Sequence, residues 1–145
     1  MARYSIEEYV RWEDIDAAGI INYQAYLRFF GLAEAELFRA AGLNYRHLSS
    51  VLGIALPRVH IACDFHRPAT LDELLAVEAS VSRIGRTSIT LDFEARRRDR
   101  PEDRVASGRY VLVSVRLATF EPVPVPDEIR TRLAPYLETP PPPAR

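Results

Sequence analysis

The stretch Trp12-Glu13-Asp14-Ile15-Asp16-Ala17-Ala18-Gly19-Ile20-Ile21-Asn22-Tyr23-Gln24-Ala25-Tyr26 joins two unlike patterns. Before it, Ile6, Glu8, Val10 and Trp12 alternate with Glu7, Tyr9, Arg11 and Glu13, which predicts a strand over residues 4–12. After it, Tyr26, Phe30, Ala33, Leu37 and Ala41 recur at helical spacing until Gly42 supplies a stop. An acidic turn and Gly19 thus lead a strand into a long helix over residues 22–41, with Asn22 as its N-cap. Asp16 falls beside the helix start, where backbone N–H groups point outward unpaired. The first helical turn, Tyr23 to Tyr26, carries no acid, so its positive end is free for another anion.

Working outward, Gly31 sits inside the helix at a cost of about 1 kcal/mol against alanine. Close approach to a sheet is the expected compensation. A short helix follows over residues 45–52. Val59, Ile61, Cys63 and Phe65 alternate with His60, Ala62, Asp64 and His66 until Pro68. Leu75, Val77, Ala79 and Val81 alternate with Glu78, Ser80 and Ser82, and Ile89, Leu91, Phe93 and Ala95 with Thr90, Asp92 and Glu94. Residues 105–120 read as one long strand, and Pro126-Asp127 opens a last helix with Ile129, Leu133 and Leu137 on one face. Gly85-Arg86 and Arg100-Pro101-Glu102-Asp103 mark hairpin turns. A strand, a long helix, then consecutive strands with short turns give an α+β fold. Its curved, mostly antiparallel sheet is covered on one face by the helix.

The chain has 145 residues, enough for one domain with a real core; we place that domain at 1–138. Residues 139–145, with four consecutive prolines, read as a disordered extended tail. The net charge of −1 gives no basis for nucleic-acid binding. All 19 basic residues are arginine, which excludes Schiff-base chemistry on lysine. A single cysteine, no apolar signal region and no apolar run of about 20 residues point to a cytoplasmic protein off the membrane.

Other groups carry blander readings. Glu13 and Asp14 read as a solvated strand end, with Asp14 close enough to raise the pKa of Asp16 by repulsion. Arg96, Arg97, Arg98 and Arg100 read as a solvated face, with a phosphate site as the alternative. Cys63, between His60 and His66, reads as a small core residue, because strand neighbours three apart face opposite sides. No His/Cys spacing suits a metal, and no Gly-x-Ser-x-Gly elbow, P-loop or dinucleotide fingerprint occurs.

The segment Asp16-x-x-Gly19-x-x-Asn22-Tyr23, followed by Ala25-Tyr26-Leu27, resembles the active-site segment of hotdog-fold thioesterases, in particular the 4-hydroxybenzoyl-CoA thioesterase branch. Phe65-His66-Arg67-Pro68-Ala69 followed by Asp72, and Arg83-Ile84-Gly85-Arg86-Thr87-Ser88, fit the same family. The resemblance covers residues 5–120. It implies a sheet wrapped around the central helix, homodimers with a continuous sheet that assemble into dimers of dimers, and hydrolysis of an acyl-CoA thioester with no cofactor beyond the CoA of the substrate. The family's carboxylate falls on Asp16 and its carbonyl-polarising N–H near Tyr23; Gly19 and Asn22 complete the catalytic set, with Asn22 either orienting water or capping the helix. Several acyl-CoA relatives have histidine where this chain has Tyr23. Tyr26 would line the acyl pocket, and Arg67, Arg83 and Arg86, with Thr87 and Ser88, would bind CoA. An acyl-carrier-protein thioesterase and a non-catalytic acyl-CoA-binding protein are the alternatives.

Overall fold

A computed structural model describes residues 3–138, so the expected tail at 139–145 lies outside the described residues. The main sheet has five antiparallel strands: β1 (Tyr4–Tyr9), β3 (Arg58–Phe65), β4 (Leu74–Ile84), β5 (Ser88–Arg97) and β6 (Arg104–Val113), in the order β1-β4-β5-β6-β3. The alternation seen in sequence becomes two faces. Leu75, Val77, Ala79, Val81, Ile89, Leu91, Phe93 and Ala95 are buried on the inner one. The outer one carries ion pairs, among them Arg109 to Asp92 at 2.7 Å and Arg3 to Glu94 at 2.9 Å. Register shifts between Val81 and Arg83, between Ala95 and Arg96, and between Arg58 and His60 bend the sheet.

Helix α1 (Ala25–Ala40) lies across the inner face and buries Tyr26, Phe29, Phe30, Ala33, Leu37 and Phe38. Phe30 stacks on Phe93 at 5.1 Å and meets Tyr110 edge-on at 6.3 Å. The close approach expected at Gly31 is not there: a Cβ at that position would meet nothing within 4 Å. The glycine that admits the helix is Gly108 on β6, where a Cβ would sit 2.8 Å from the Phe30 ring. Sequence shows that a glycine is present but not which side of a contact needs it.

Three boundaries differ from expectation. β1 stops at Tyr9, and Trp12–Asp14 forms a 3-10 turn. α1 begins at Ala25 rather than Asn22. The long strand over 105–120 breaks at buried Ser114, whose N–H donates to Thr87 O at 2.7 Å. The chain then turns into β7 (Val115–Arg116), which pairs with β2 (Ile54–Ala55) in a separate two-stranded sheet. Alternation persists across such a break, so periodicity alone cannot detect it. Helices α2 (Tyr45–Ser50) and α3 (Asp127–Leu133) fall near their expected places. α3 buries Ile129 and Leu133 only, because a 3-10 turn over Ala134–Tyr136 carries Leu137 off its face into a bridge with Val81.

β3 is an edge strand, and none of its eight residues is fully buried. Val59, Ile61 and Phe65 are 62, 47 and 56% exposed.

Candidate active site

Residues 14–22 close on themselves like a small hairpin standing at the start of α1. The Asn22 N–H donates to Asp14 O at 2.6 Å, Ile15 bridges Ile21, and the Asp16 N–H donates to Ile20 O at 3.0 Å. Gly19 turns the tip with φ +79°, a left-handed conformation that suits glycine, and its N–H donates to Asp16 O at 3.0 Å. A bridge from Ile20 to Thr70 and the bond from Ile21 N–H to Ala69 O at 2.8 Å fix the loop to the segment after β3. Asp16 is thereby held exposed, with Oδ1 accepting the Ala18 N–H at 2.8 Å. Its Oδ2 has no protein partner among the described residues.

The helix end facing Asp16 is open but narrower than expected. Asn22 Oδ1 accepts the Gln24 N–H at 2.8 Å, a local cap of the turn that precedes α1. The Gln24 backbone N–H is therefore not free to bond a substrate. Among the described residues the Tyr23 N–H has no acceptor, and the first turn of α1 carries no acid. The Tyr23 N–H is thus a free donor at the positive end of the helix.

Asp16, Tyr23, Tyr26 and Arg67 line one open cleft of about 420 Å³, together with Ile20, Ile21, Phe65, His66 and Pro68. That volume suits a small-molecule site. Tyr26 is buried, with its ring 5.5 Å from Phe65. Burial holds its phenol up at about 12, against the pull of Arg97 and with the push of Glu73, so it serves as a neutral wall. Among the described residues the Arg67 guanidinium has no carboxylate partner, which leaves a cation free in the cleft. Phe65 and His66 also line the site, although of residues 65–69 only Arg67 was expected to bind. Their signal was adjacency to Arg67, in the segment where the chain leaves β3 and turns through Pro68.

Arg83, Arg86, Thr87 and Ser88 are not in this cleft. They lie at the β4–β5 hairpin, where the Gly85 N–H donates to Ser88 O at 2.8 Å. Asp16 lies near the other end of β4, since Tyr9 pairs with Leu74. Eleven residues of strand separate the two ends, roughly 35 Å at 3.3 Å per residue. Within one chain the two groups cannot touch the same small molecule through its acyl end. The arginine run is occupied as well: Arg96 pairs with Glu94 at 2.9 Å, Arg97 with Glu73 at 2.5 Å, and Arg98 with Glu7 at 2.6 Å.

Asp14 is the largest departure. It is 2% exposed rather than solvated. Its Oδ1 accepts Arg28 Nε at 2.9 Å, its Oδ2 accepts Arg28 Nη2, and the Arg11 N–H donates to Oδ2 at 2.8 Å. Burial pushes this carboxyl up, but the bonds from Arg28 and Arg11 outweigh it and hold the pKa below the usual carboxylate range. Asp14 is thus a neutralised anion whose charge is balanced two residues before Asp16.

The family model of the thioesterase-like superfamily matches residues 10–133. The chain belongs to that superfamily. Its relatives include the 1,4-dihydroxy-2-naphthoyl-CoA hydrolase of Synechococcus elongatus, 26% identical over 90% of this chain and 94% of that one. The acyl-CoA thioesterase YbgC of Haemophilus influenzae is 30% identical over 88% of this chain and 91% of that one. Superfamily members also share the fold. A 1,4-dihydroxy-2-naphthoyl-CoA thioesterase from Synechocystis superposes with a TM-score of 0.84 at 23% identity, over 91% of this chain and 96% of the other. A thioesterase-superfamily protein from Jannaschia gives 0.86 at 22%, over 95% of each. The architecture is the hotdog fold, and the chain is a thioester hydrolase.

Proposed function

We propose that the protein hydrolyses acyl-CoA thioesters in the cleft between Asp16 and the start of α1. The observation that carries this reading is the unpaired Tyr23 N–H in one cleft with the free oxygen of Asp16. A thioester carbonyl gains negative charge on attack, and a donor fixed at a helix end stabilises that charge without reorganising. In one route Asp16 takes a proton from water, the resulting hydroxide adds to the carbonyl carbon, and the C–S bond breaks to release CoA thiolate. In the other, Asp16 itself adds, CoA thiolate leaves, and water cleaves the resulting anhydride. A single turnover in ¹⁸O-water followed by mass analysis of the protein identifies the second route when water attacks the Asp16 carbonyl of the anhydride, because only that attack puts label into Asp16.

Ile20, Ile21, Tyr23, Tyr26 and Phe65 give the cleft apolar and aromatic walls, which favours a flat aromatic acyl group over a long chain. Two relatives are named for a naphthoyl-CoA substrate, which agrees with that preference. Arg67 is placed to meet anionic parts of CoA. A second copy of the chain would cover the exposed apolar edge of β3 and extend the sheet, giving a homodimer. The hairpin residues Arg83, Arg86, Thr87 and Ser88 would then serve the partner's site.

CoA release from acetyl-, hexanoyl-, palmitoyl-, benzoyl- and 1,4-dihydroxy-2-naphthoyl-CoA tests the reading, run on the wild type and on Asp16→Ala. The aromatic esters should turn over fastest, and Asp16→Ala should lose at least 10²-fold in kcat while keeping its melting temperature. Full turnover by a folded Asp16→Ala enzyme would refute the chemistry.

A further inference from the structure

Resting on that reading, we infer that the pair of half-buried Arg28 and buried Asp14 is the positioning device that sets Asp16 against the Tyr23 N–H. The two groups lie on different limbs of one small loop. The Asn22 limb runs directly into α1, so the chain itself fixes the donor to the helix. The Asp14 limb has no covalent tie to α1 nearby. Among the described residues its side-chain hydrogen bonds to the helix come from Arg28, whose Nε and Nη2 grip both oxygens of Asp14. The fork-on-carboxylate geometry fixes direction as well as distance. Arg28 is itself oriented from the other side, by Glu8 Oε2 at 3.1 Å and by Tyr9 O at 3.4 Å, and its guanidinium lies 4.6 Å from the centre of the Phe29 ring.

Asp14 transmits this hold directly. The same residue whose side chain is gripped by Arg28 accepts the Asn22 N–H on its carbonyl at 2.6 Å, so both limbs close on it. Asp16 follows after one residue, Ile15, which is itself bridged to Ile21. Loosening Asp14 would let the carboxylate limb slide against the donor limb with the cleft walls left in place. Arg28 does not line the cleft, and of the groups it bonds Asp14 is the one on the Asp16 limb. A shift of about 1 Å in such a constellation is enough to cost on the order of 10²-fold in rate.

The test is steady-state kinetics on the best ester from the panel above, with melting curves, for wild type, Arg28→Lys, Arg28→Gln, Asp14→Asn and Asp14→Asn/Arg28→Gln. Arg28→Lys keeps the charge and loses the fork. We expect its kcat to fall 10- to 100-fold with KM changed less than threefold, and Arg28→Gln and Asp14→Asn to fall comparably. The double variant should be no slower than the worse single one. Glu8→Gln, which loosens Arg28 but leaves its fork on Asp14, should retain most of kcat. Arg28→Lys with wild-type kcat, or a loss of kcat in Glu8→Gln as large as in Arg28→Lys, would overturn the inference. If the thioesterase reading itself fails, the wild type shows no turnover at all, so the two failures are distinct.

Discussion

At the scale of single residues, the site depends on one acid being buried and a neighbouring acid being left free. Asp14 and Asp16 are two positions apart on one limb, yet one is neutralised by a guanidinium and the other projects into the cleft. This has a pH consequence. The native pKa of Asp14 is lowered, so its share of stability is present above the ordinary carboxylate range and disappears as pH falls through the depressed native value. Asp14→Asn should therefore be less stable than wild type at pH 7, with the gap closing in acid, read from melting temperatures between pH 2.5 and 7. Glu34 on α1 behaves oppositely. Burial raises its carboxyl, against the charge of Arg58 and the hydrogen bonds from Tyr45 and Arg58. Its protonated form favours the fold at low pH, and that contribution is lost as pH rises through the raised value. A melting profile of Glu34→Gln should show the reverse trend, gaining on wild type from acid toward neutral.

At the scale of elements, the helix and the sheet meet through a glycine that lies on the sheet. Gly108→Ala would drive a methyl into the Phe30 ring and should destabilise by about 1–3 kcal/mol. Gly31→Ala in the isolated chain meets nothing and should gain up to about 1 kcal/mol from helix propensity. Chemical denaturation of both variants decides which glycine carries the contact. The strands and α1 were legible because two-residue and helical periods record which face each element buries. Gly19, Asn22 and the acid-free first turn were legible because a left-handed turn and a cap each demand particular residue types. The pairing of Asp14 with Arg28 was not, since a run of acids looks the same whether solvated or buried. Its partner lies 14 residues on, at no spacing that marks a contact.

For the molecule as a whole, the separation of Asp16 from the β4–β5 hairpin turns a list of binding residues into a statement about assembly. If Arg86 serves the partner's site, mixing Asp16→Ala with Arg86→Ala chains should restore activity. Each hybrid dimer would contain one site with both groups intact. Mixing after partial unfolding and refolding, followed by assay, should recover up to about a quarter of wild-type turnover from the one intact site in hybrids that form half the population. Two inactive parents with no recovery would place all working residues of each site in a single chain. Sequence could supply these residues but not their partition between copies, because strand order and edge position appear only once the sheet is assembled.

The bare edge of β3 bears on how the chain must be handled before it reaches any partner. Its eight residues offer a row of unmatched amide and carbonyl groups beside Val59, Ile61 and Phe65, with Arg58, His60 and Asp64 interspersed. Such a row accepts any extended segment, whether the intended mate or a half-folded neighbour. If the proposed dimer forms on this edge, melting temperature should climb with protein concentration, since mass action favours the dimer. Refolding should pass through an optimum concentration: too dilute, the edge waits uncovered, and too concentrated, it collects the wrong strand.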